Sequence, residues 1–269
     1  MVRRGIAGSR TEAALAIRSG KVTVAGRPAA KAATLVEEFE PIHLASPARR
    51  FVSRGGEKLA AALDRFDLDV TGQQCLDAGA STGGFTDCLL SRGASHVIAV
   101  DVGYGQLDWR LREDRRVTVL ERTNVRDLDP AVLPYRPEVV AGDLSFISLA
   151  LVLRALAAVA ADRATFVLLV KPQFEAGRGE VGAGGVVRDP GAWRRSVDRV
   201  TLAATETGLG MVDAMASPLL GPAGNVEFFL LATRGGRVAR PNASVHARID
   251  AAIDEAIRLV QSTAVSAHG

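Results

Sequence analysis

Four charged side chains have the types that proton-transfer chemistry requires. They are two lysines and two carboxylates: Lys58, Asp143, Lys171 and Glu227. A lysine removes a proton from a poor nucleophile such as a hydroxyl group only when its pKa is lowered, and a second ammonium group nearby lowers it. Carboxylates can then orient the lysines and the substrate. Each residue alone is equally well explained by a surface ion pair, whereas all four at one site favour a catalytic role.

A glycine-rich stretch has the composition of a ligand-binding loop. It runs from Asp77 to Phe85, DAGASTGGF, after the apolar pair Cys75-Leu76 and before a predicted helix. A strand, a tight glycine turn and a helix open many nucleotide-binding α/β domains. The spacing is not the G-x-G-x-x-G pattern of dinucleotide sites. The carboxylate of Asp77 favours a cationic or hydroxyl-bearing ligand over a pyrophosphate, and S-adenosylmethionine has an ammonium, a sulfonium and no phosphate. A turn without any ligand is the alternative.

A second acid follows at a distance typical of ribose recognition. His96–Asp101 is predicted to be the next strand, and Asp101 lies 24 residues after Asp77. An acid at about this spacing accepts hydrogen bonds from ribose hydroxyl groups. The two acids together favour a ligand that contains adenosine.

Strands alternate with helices through most of the chain, which predicts an α/β protein with a mostly parallel sheet covered on both faces. Beyond the strand into Asp77, the predicted strands are 96–101, 117–121, 138–143, 164–170, 211–217 and 226–233. The last two are joined by a turn, so one of them should be antiparallel. This pattern resembles class I S-adenosylmethionine-dependent methyltransferases, Rossmann-like domains in which the seventh strand lies between the fifth and the sixth.

That topology would bring the charged residues to one edge of the sheet. Ligands of such sheets bind at the carboxyl ends of the parallel strands, where Asp143 and Lys171 stand. The antiparallel last strand would begin at the same edge with Glu227. Lys58 lies on the helix that precedes the first strand and could reach this edge.

Composition and charge restrict the class of protein. The chain has 269 residues, of which 48% are hydrophobic, enough for a packed core in one large or two modest domains. Its two cysteines, Cys75 and Cys88, form no metal-binding pattern, so we expect a reducing cytoplasm, no disulfide and no metal. We expect no signal peptide and no membrane span, because the most apolar stretch, 147–161, is interrupted by Arg154.

Positive charge is concentrated near the N-terminus. Residues 1–58 contain 11 Lys+Arg and 5 Asp+Glu, although the whole chain has a net charge of only +3. A basic segment of this kind predicts contact with a polyanion, and an ordinary solvated surface is the alternative. Because aromatic residues make up only 5% of the chain, phosphate contacts are expected rather than extensive base stacking.

The N-terminal segment is predicted to be a helix on a small sheet. Ser9 and Glu12 form a capping box, Gly20 ends the helix, and short strands are expected at 21–24, 35–36 and 42–44. The pattern resembles the RNA-binding domain named after ribosomal protein S-four, although fewer residues than usual precede the capping box. We predict this domain at 1–46, a linker at 47–53 and the methyltransferase domain at 54–269. The expected RNA contacts are Arg4, Ser9, Arg10, Lys21, Arg49 and Arg54.

Four motifs resemble the TlyA family of rRNA cytidine 2′-O-methyltransferases, also called haemolysins. They are 79–86 (GASTGGFT), 101–107 (DVGYGQL), 143–148 (DLSFIS) and 171–175 (KPQFE). The resemblance implies an FtsJ-like methyltransferase domain, S-adenosylmethionine as cofactor, and rRNA or ribosomal subunits, small, large or both, as substrate. It assigns the catalytic positions to Lys58, Asp143, Lys171 and Glu227. The implied cofactor-binding residues are Asp77, Gly79, Ala80, Ser81, Gly83, Gly84, Asp101, Val102, Asn124, Val125, Asp143 and Phe146.

Other interpretations stay open at this point. Phe146 would pack near the methionine or the target base, or else in the core. The chain could be a non-catalytic RNA-binding or ribosome-assembly factor that retains the fold, and a membrane-lytic haemolysin is a weaker alternative. A small-molecule methyltransferase would leave the basic N-terminal segment unexplained. A monomer is favoured, with no membrane partner.

Overall fold

The computed structural model describes residues 1–4, 6–7, 10–37, 39–44, 50–177, 179–235 and 243–268. The chain divides into two compact units, Met1–Arg50 and Phe51–Gly269. Ser9 and Arg49, both predicted to contact RNA, lie outside the described residues, as does much of the predicted linker.

The first unit is a helix beside a three-stranded antiparallel sheet. After a short 3-10 helix, Val2–Arg4, it contains α1 (Arg10–Arg18), β1 (Val22–Val24), β2 (Arg27–Pro28) and β3 (Ile42–Leu44), with the strand order β2-β1-β3. Gly20 follows α1 with a φ of +69°, as the predicted helix end requires. The strand predicted at 35–36 is wrong: these residues pair with no strand, and Leu35 is exposed.

The second unit contains a seven-stranded sheet with the order β6-β5-β4-β7-β8-β10-β9. Its strands are β4 (Gln74–Ala78), β5 (His96–Val100), β6 (Val117–Leu120), β7 (Val139–Gly142), β8 (Ala164–Val170), β9 (Gly210–Ala216) and β10 (Phe228–Arg234). Strand β10 lies between β8 and β9 and is antiparallel to both. The predicted class I methyltransferase topology, with its last strand inserted between the fifth and sixth, is therefore confirmed.

Helices cover both faces of this sheet. They are α2 (Arg54–Arg65), α3 (Gly84–Ser91), α4 (Trp109–Arg112), α5 (Leu149–Val159), α6 (Pro172–Glu175), α7 (Pro190–Glu206) and α8 (Ala243–His268). Because successive side chains of a strand point to opposite faces, the even- and odd-numbered residues of β8 differ in their surroundings. Even-numbered residues of β8 pack with α5, α7 and α8, whereas Val167 and Leu169 pack with α2 and α3.

The strand register brings three of the predicted catalytic positions to one edge. Gly142 pairs with Leu168, and Val170 pairs with Phe228. Asp143 follows Gly142 at the end of β7, and Lys171 follows Val170 at the end of β8. Glu227 precedes Phe228 at the start of β10. They are therefore neighbours along the edge where the parallel strands finish, as the sequence predicted.

Candidate active site

The four predicted catalytic side chains form two ion pairs. Lys171 Nζ lies 2.6 Å from Asp143 Oδ1, and Lys58 Nζ lies 2.5 Å from Glu227 Oε2. The pairs differ in burial: the side chain of Glu227 is 1% exposed, whereas that of Asp143 is 23% exposed. The Lys58–Glu227 pair is thus enclosed, whereas the Asp143–Lys171 pair, the open pair, is partly exposed, with 11% of the Lys171 side chain exposed.

Close packing surrounds the buried pair. Lys58 lies on α2, whose N-terminus is capped by the side chain of Ser53. A Cβ atom on Gly221 would lie 2.6 Å from Glu227 Oε1, so the turn before β10 can approach the carboxylate only with a glycine at this position. The pair therefore fixes α2 against the beginning of β10, because a buried charge that lost its partner would be strongly unfavourable.

A third side chain holds the open pair. Lys171 Nζ donates a hydrogen bond to Ser145 Oγ at 2.8 Å, in addition to its contact with Asp143. Ser145 lies in the segment that follows β7, and Lys171 follows β8. Ser145 was not among the predicted site residues, although it lies two residues after Asp143 in the DLSFIS motif, a position that could have indicated it.

A cavity of about 510 Å³ opens beside Asp143. This volume lies within the range of roughly 300–1,000 Å³ that is usual for small-molecule sites. Eight of the predicted cofactor-binding residues line it: Gly79, Ser81, Asp101, Val102, Asn124, Val125, Asp143 and Phe146. Gln106, Leu144, Ser145, Ile147 and Val152 complete the lining and were not predicted.

Asp77 does not line the cavity. Strand β4 continues to Ala78, so Asp77 lies inside the strand and is completely buried. Its Oδ2 accepts hydrogen bonds from the N–H and the Oγ1 of Thr86, at 2.9 and 2.7 Å, and its Oδ1 has no hydrogen-bond partner within the described part of the chain. Burial raises the pKa of Asp77 to about 7, against the lowering effect of the Thr86 hydrogen bonds. Asp77 of β4 therefore holds the first turn of α3 against the sheet through its hydrogen bonds to Thr86.

Three other predicted cofactor residues also lie outside the cavity lining. Ala80 is 6% exposed. A Cβ atom on Gly83 would collide with Leu111, and one on Gly84 would collide with Ser53 Oγ. These two glycines are explained by the close packing of protein against protein rather than by the approach of a ligand.

Gly79 and Ser81 shape the wall of the cavity. Gly79 has a φ of +87°, and a Cβ atom there would lie 2.6 Å from the carbonyl oxygen of Asp143. Ser81 has a φ of +48°, and its N–H donates to Asp101 Oδ2 at 2.8 Å. The N–H of Gly103 donates to Asp101 Oδ1 at 2.6 Å. Because a carboxylate has about four acceptor positions, Asp101 keeps capacity for ligand hydroxyl groups.

These features fit S-adenosylmethionine. Asp101 and Asp143 give the described lining two carboxylates, and it contains no lysine or arginine. That charge suits a ligand that carries ammonium and sulfonium groups and does not suit a pyrophosphate. The hydroxyl acceptors of Asp101 and the close backbone at Gly79 match a ribose and a compact nucleoside.

Phe146 stands at the mouth of the cavity. Its residue surface is 92% exposed, so the interpretation as a core aromatic residue is wrong. Its φ is +64°, which is uncommon for a residue with a side chain, and its ring centroid lies 5.3 Å from that of Phe174. The backbone therefore holds an exposed aromatic ring in the same cavity lining as Asp143.

The predicted RNA contacts that the structure describes differ in their surroundings. Arg10 and Lys21 are exposed. The guanidinium of Arg4 donates to the carbonyl oxygens of Glu40 and Glu37, at 2.7 and 2.6 Å, so it also stabilises its own unit. Arg54 is exposed and donates to the carbonyl oxygen of Leu220.

Metal and membrane features can be judged for the described ranges only. There, no three His, Cys, Asp or Glu side chains cluster in a way that could hold a metal ion. Nor does any helix in those ranges have both the length and the hydropathy needed to cross a bilayer.

Comparisons with known proteins agree with this geometry. Residues 51–234 match the family model of the FtsJ-like methyltransferases, and residues 1–42 match that of the S4 domain. The chain is 55% identical over 231 residues to the 16S/23S rRNA (cytidine-2′-O)-methyltransferase TlyA of Mycobacterium tuberculosis, with 86% of each chain covered. It is 37% identical over 225 residues to Hemolysin A of Brachyspira hyodysenteriae, with 83% of this chain and 93% of the relative covered.

A solved structure, a putative hemolysin from Streptococcus thermophilus, is also similar to this chain. It is 36% identical in sequence, the match covers 97% of this chain and 94% of the other, and the TM-score is 0.77. The matched domains, the confirmed sheet order and the high identity to TlyA lead to one conclusion. The chain is an FtsJ-like methyltransferase with an N-terminal S4 domain and belongs to the TlyA family.

Proposed function

We propose that this methyltransferase transfers a methyl group from S-adenosylmethionine to the ribose 2′-hydroxyl of a cytidine in 16S rRNA, 23S rRNA or both, within ribosomal subunits. One observation carries the proposal: the Asp143–Lys171 ion pair, 2.6 Å apart, lies at the edge of a cavity that Asp143 itself lines. A base beside the cofactor cavity is what methylation of a weakly acidic hydroxyl group needs.

The sulfonium of S-adenosylmethionine supplies a methyl group on a good leaving group, so the protein needs to act mainly on the nucleophile. Lys171, in its unprotonated form, is the general base that takes the proton of the 2′-hydroxyl at Nζ. Asp143 and Ser145 fix the position of that nitrogen. In-line alignment of the hydroxyl with the methyl group supplies much of the remaining rate enhancement.

Lys58 and Glu227 have a supporting catalytic role in this proposal. Their buried pair lies beside Lys171 in the strand register and fixes the wall against which the ribose would rest. The exposed Arg10 and Lys21 of the S4 domain would contact phosphates of the RNA. We retain the predicted domain limits of 1–46 and 54–269 with the linker between them, and a cytoplasmic location follows from the proposed substrate.

Mapping of 2′-O-methyl groups tests the function. Each ribosomal subunit is incubated with the protein and S-adenosylmethionine, and both rRNAs are mapped. We expect methylation of a cytidine in at least one rRNA by the wild-type protein. Absence of any new methyl group on both subunits would contradict the proposed reaction.

Two substitutions test the role of Lys171. Lys171→Ala should abolish methylation while calorimetry still detects S-adenosylmethionine binding. Lys171→Arg keeps a positive charge beside Asp143, but a guanidinium does not lose its proton in proteins, so this variant should also be inactive. An active Lys171→Arg variant would exclude a general-base role, and full activity of Lys171→Ala would remove Lys171 from the mechanism.

A further inference from the structure

Glu175 is a buried carboxylate that the proposed mechanism does not use. It is the last residue of α6, four residues after Lys171, and only 2% of its surface is exposed. A carboxylate buried to this extent needs strong hydrogen bonds to offset the loss of hydration. Its partners therefore indicate what it does.

Both oxygens of Glu175 bind the start of α5. Ser148 Oγ donates to Oε2 at 2.5 Å, and the N–H of Leu149 donates to Oε1 at 2.6 Å. Ser148 is the N-cap of α5, and Leu149 is its first residue. A negative charge at this end of a helix is also stabilised by the helix dipole. Arg199 of α7 donates to the carbonyl oxygen of Glu175, which holds its backbone as well.

These contacts connect the two segments that carry the open ion pair. The first segment, 143–149, follows β7 and includes Asp143 and Phe146; the second, 171–175, follows β8 and begins with Lys171. The segments also meet at the Asp143–Lys171 pair and at the Phe146–Phe174 ring contact. Among these contacts, those of the Glu175 carboxylate are the most enclosed: Glu175 and Leu149 are buried and Ser148 is half-buried, whereas Phe146 is exposed.

We propose that Glu175 is a positioning residue for methyl transfer: by holding the N-terminus of α5, its carboxylate sets the position of Asp143 and Phe146 relative to Lys171. This inference rests on the proposed function. It predicts that loss of the carboxylate moves reacting groups without removing any of them. Misplacement of about 1 Å can reduce a rate by roughly a hundredfold.

Asp189 offers a control for the loss of a helix cap. It also accepts two hydrogen bonds at a helix N-terminus, from the N–H groups of Gly191 and Ala192 at 3.0 Å each, but this helix is α7 and Asp189 is not part of the cavity lining. Asp189→Ala removes a helix cap of similar chemistry away from the ion pair. The Asp189 side chain is 62% exposed and also contacts Arg195, so Asp189→Ala shows whether loss of a helix cap elsewhere in the domain lowers kcat. Measurement per folded molecule accounts for the larger loss of stability expected for Glu175→Ala.

The test measures kcat and KM per folded molecule and amide hydrogen exchange across 143–149 without cofactor. For Glu175→Ala we expect kcat to fall about 10- to 100-fold, KM for the RNA substrate to stay within about threefold, and exchange of the Leu149 amide to accelerate at least about tenfold. Glu175→Gln should recover most of kcat, because its amide can accept from Leu149 and donate to Ser148. Asp189→Ala should keep the wild-type kcat.

The opposite results would overturn the positioning role. These are a Glu175→Ala kcat within twofold of wild type, or an equal loss of kcat in Asp189→Ala. If Glu175→Ala does not fold, Ser148→Ala replaces it, since it removes one of the two bonds; we expect a several-fold lower kcat, and a wild-type kcat overturns the role. A wild-type protein that methylates neither subunit contradicts the proposed function, whereas an active wild type with an equally active Glu175→Ala contradicts this inference alone.

Discussion

Lys58 and Glu227 are 169 residues apart in the chain, yet their charged groups meet at 2.5 Å and both residues are buried. The contact joins the helix before the first strand of the sheet to the beginning of its last strand. It is therefore as much a structural element of the domain as a candidate part of the catalytic site.

Removal of one partner of this pair should destabilise the protein strongly. Lys58→Met or Glu227→Gln leaves the other group buried without an opposite charge, which typically costs about 3–5 kcal/mol. The double variant should cost less than the sum, because neither charge remains. The free energy of unfolding from denaturant titrations measures all three. Additive losses would show that the two groups act independently.

Gly79 should be irreplaceable for a steric reason that Gly105 lacks. Both have positive φ angles, +87° and +69°, but a Cβ atom on Gly79 would lie 2.6 Å from the Asp143 carbonyl oxygen, whereas one on Gly105 meets nothing within 4 Å. Gly79→Ala should therefore lower S-adenosylmethionine affinity at least about tenfold and reduce stability by more than the roughly 1–2 kcal/mol expected for backbone strain alone. Gly105→Ala should show only the strain.

Calorimetry with S-adenosylmethionine and thermal unfolding measure these two effects. Equal affinity in the two variants would mean that the approach of the Gly79 backbone to Asp143 does not shape the cofactor site.

Phe146 should matter for activity and hardly for stability. Because its surface is 92% exposed, Phe146→Ala removes little buried area. We expect a change in the free energy of unfolding within about 0.5 kcal/mol, as for other surface substitutions, and a loss of methyl transfer of at least about tenfold. Leu151→Ala, at a residue that is 64% exposed on α5, is the control and should retain activity. Wild-type turnover in Phe146→Ala would exclude a role for its exposed ring in substrate binding.

The strand-end positions of Asp143, Lys171 and Glu227 could be predicted because apolar strand patterns and a known sheet order place them without knowledge of any side-chain contact. The neighbours of Asp77 could not be predicted. Strand β4 extends one residue further than Asp77, to Ala78, so Asp77 lies inside the sheet and not in the glycine loop. A local sequence pattern does not show whether a carboxylate next to a glycine turn is buried in the strand or lines the ligand cavity.

Other misses have the same physical origin. The proposed role of Glu175 depends on its contact with Ser148, 27 residues away, and Phe146 has a positive φ that is uncommon for a residue with a side chain. The apolar pair at 35–36 has strand composition, but it finds no partner strand. Local propensity predicted the strands and helices that pack in the sheet domain. It did not predict features that depend on a contact with a residue distant in the sequence.

The burial of Asp77 predicts a specific dependence of stability on pH. Its pKa is about 7 in the folded protein, where burial disfavours the charged form, and 3.8 is the ordinary value expected when unfolded. Between these values the folded state holds a proton that the unfolded state has released, so stability falls as pH rises from about 4 to about 7 and then levels off.

In Asp77→Asn this contribution is absent, while the amide oxygen can still accept from Thr86. The free energy of unfolding of wild type minus that of Asp77→Asn should therefore be lower at pH 8 than at pH 5. Other titrating groups, such as Glu175, contribute to both proteins and cancel in the difference. Denaturant titrations without cofactor at these two pH values measure it, and parallel curves for the two proteins would show that Asp77 is ionised in the folded state throughout this range.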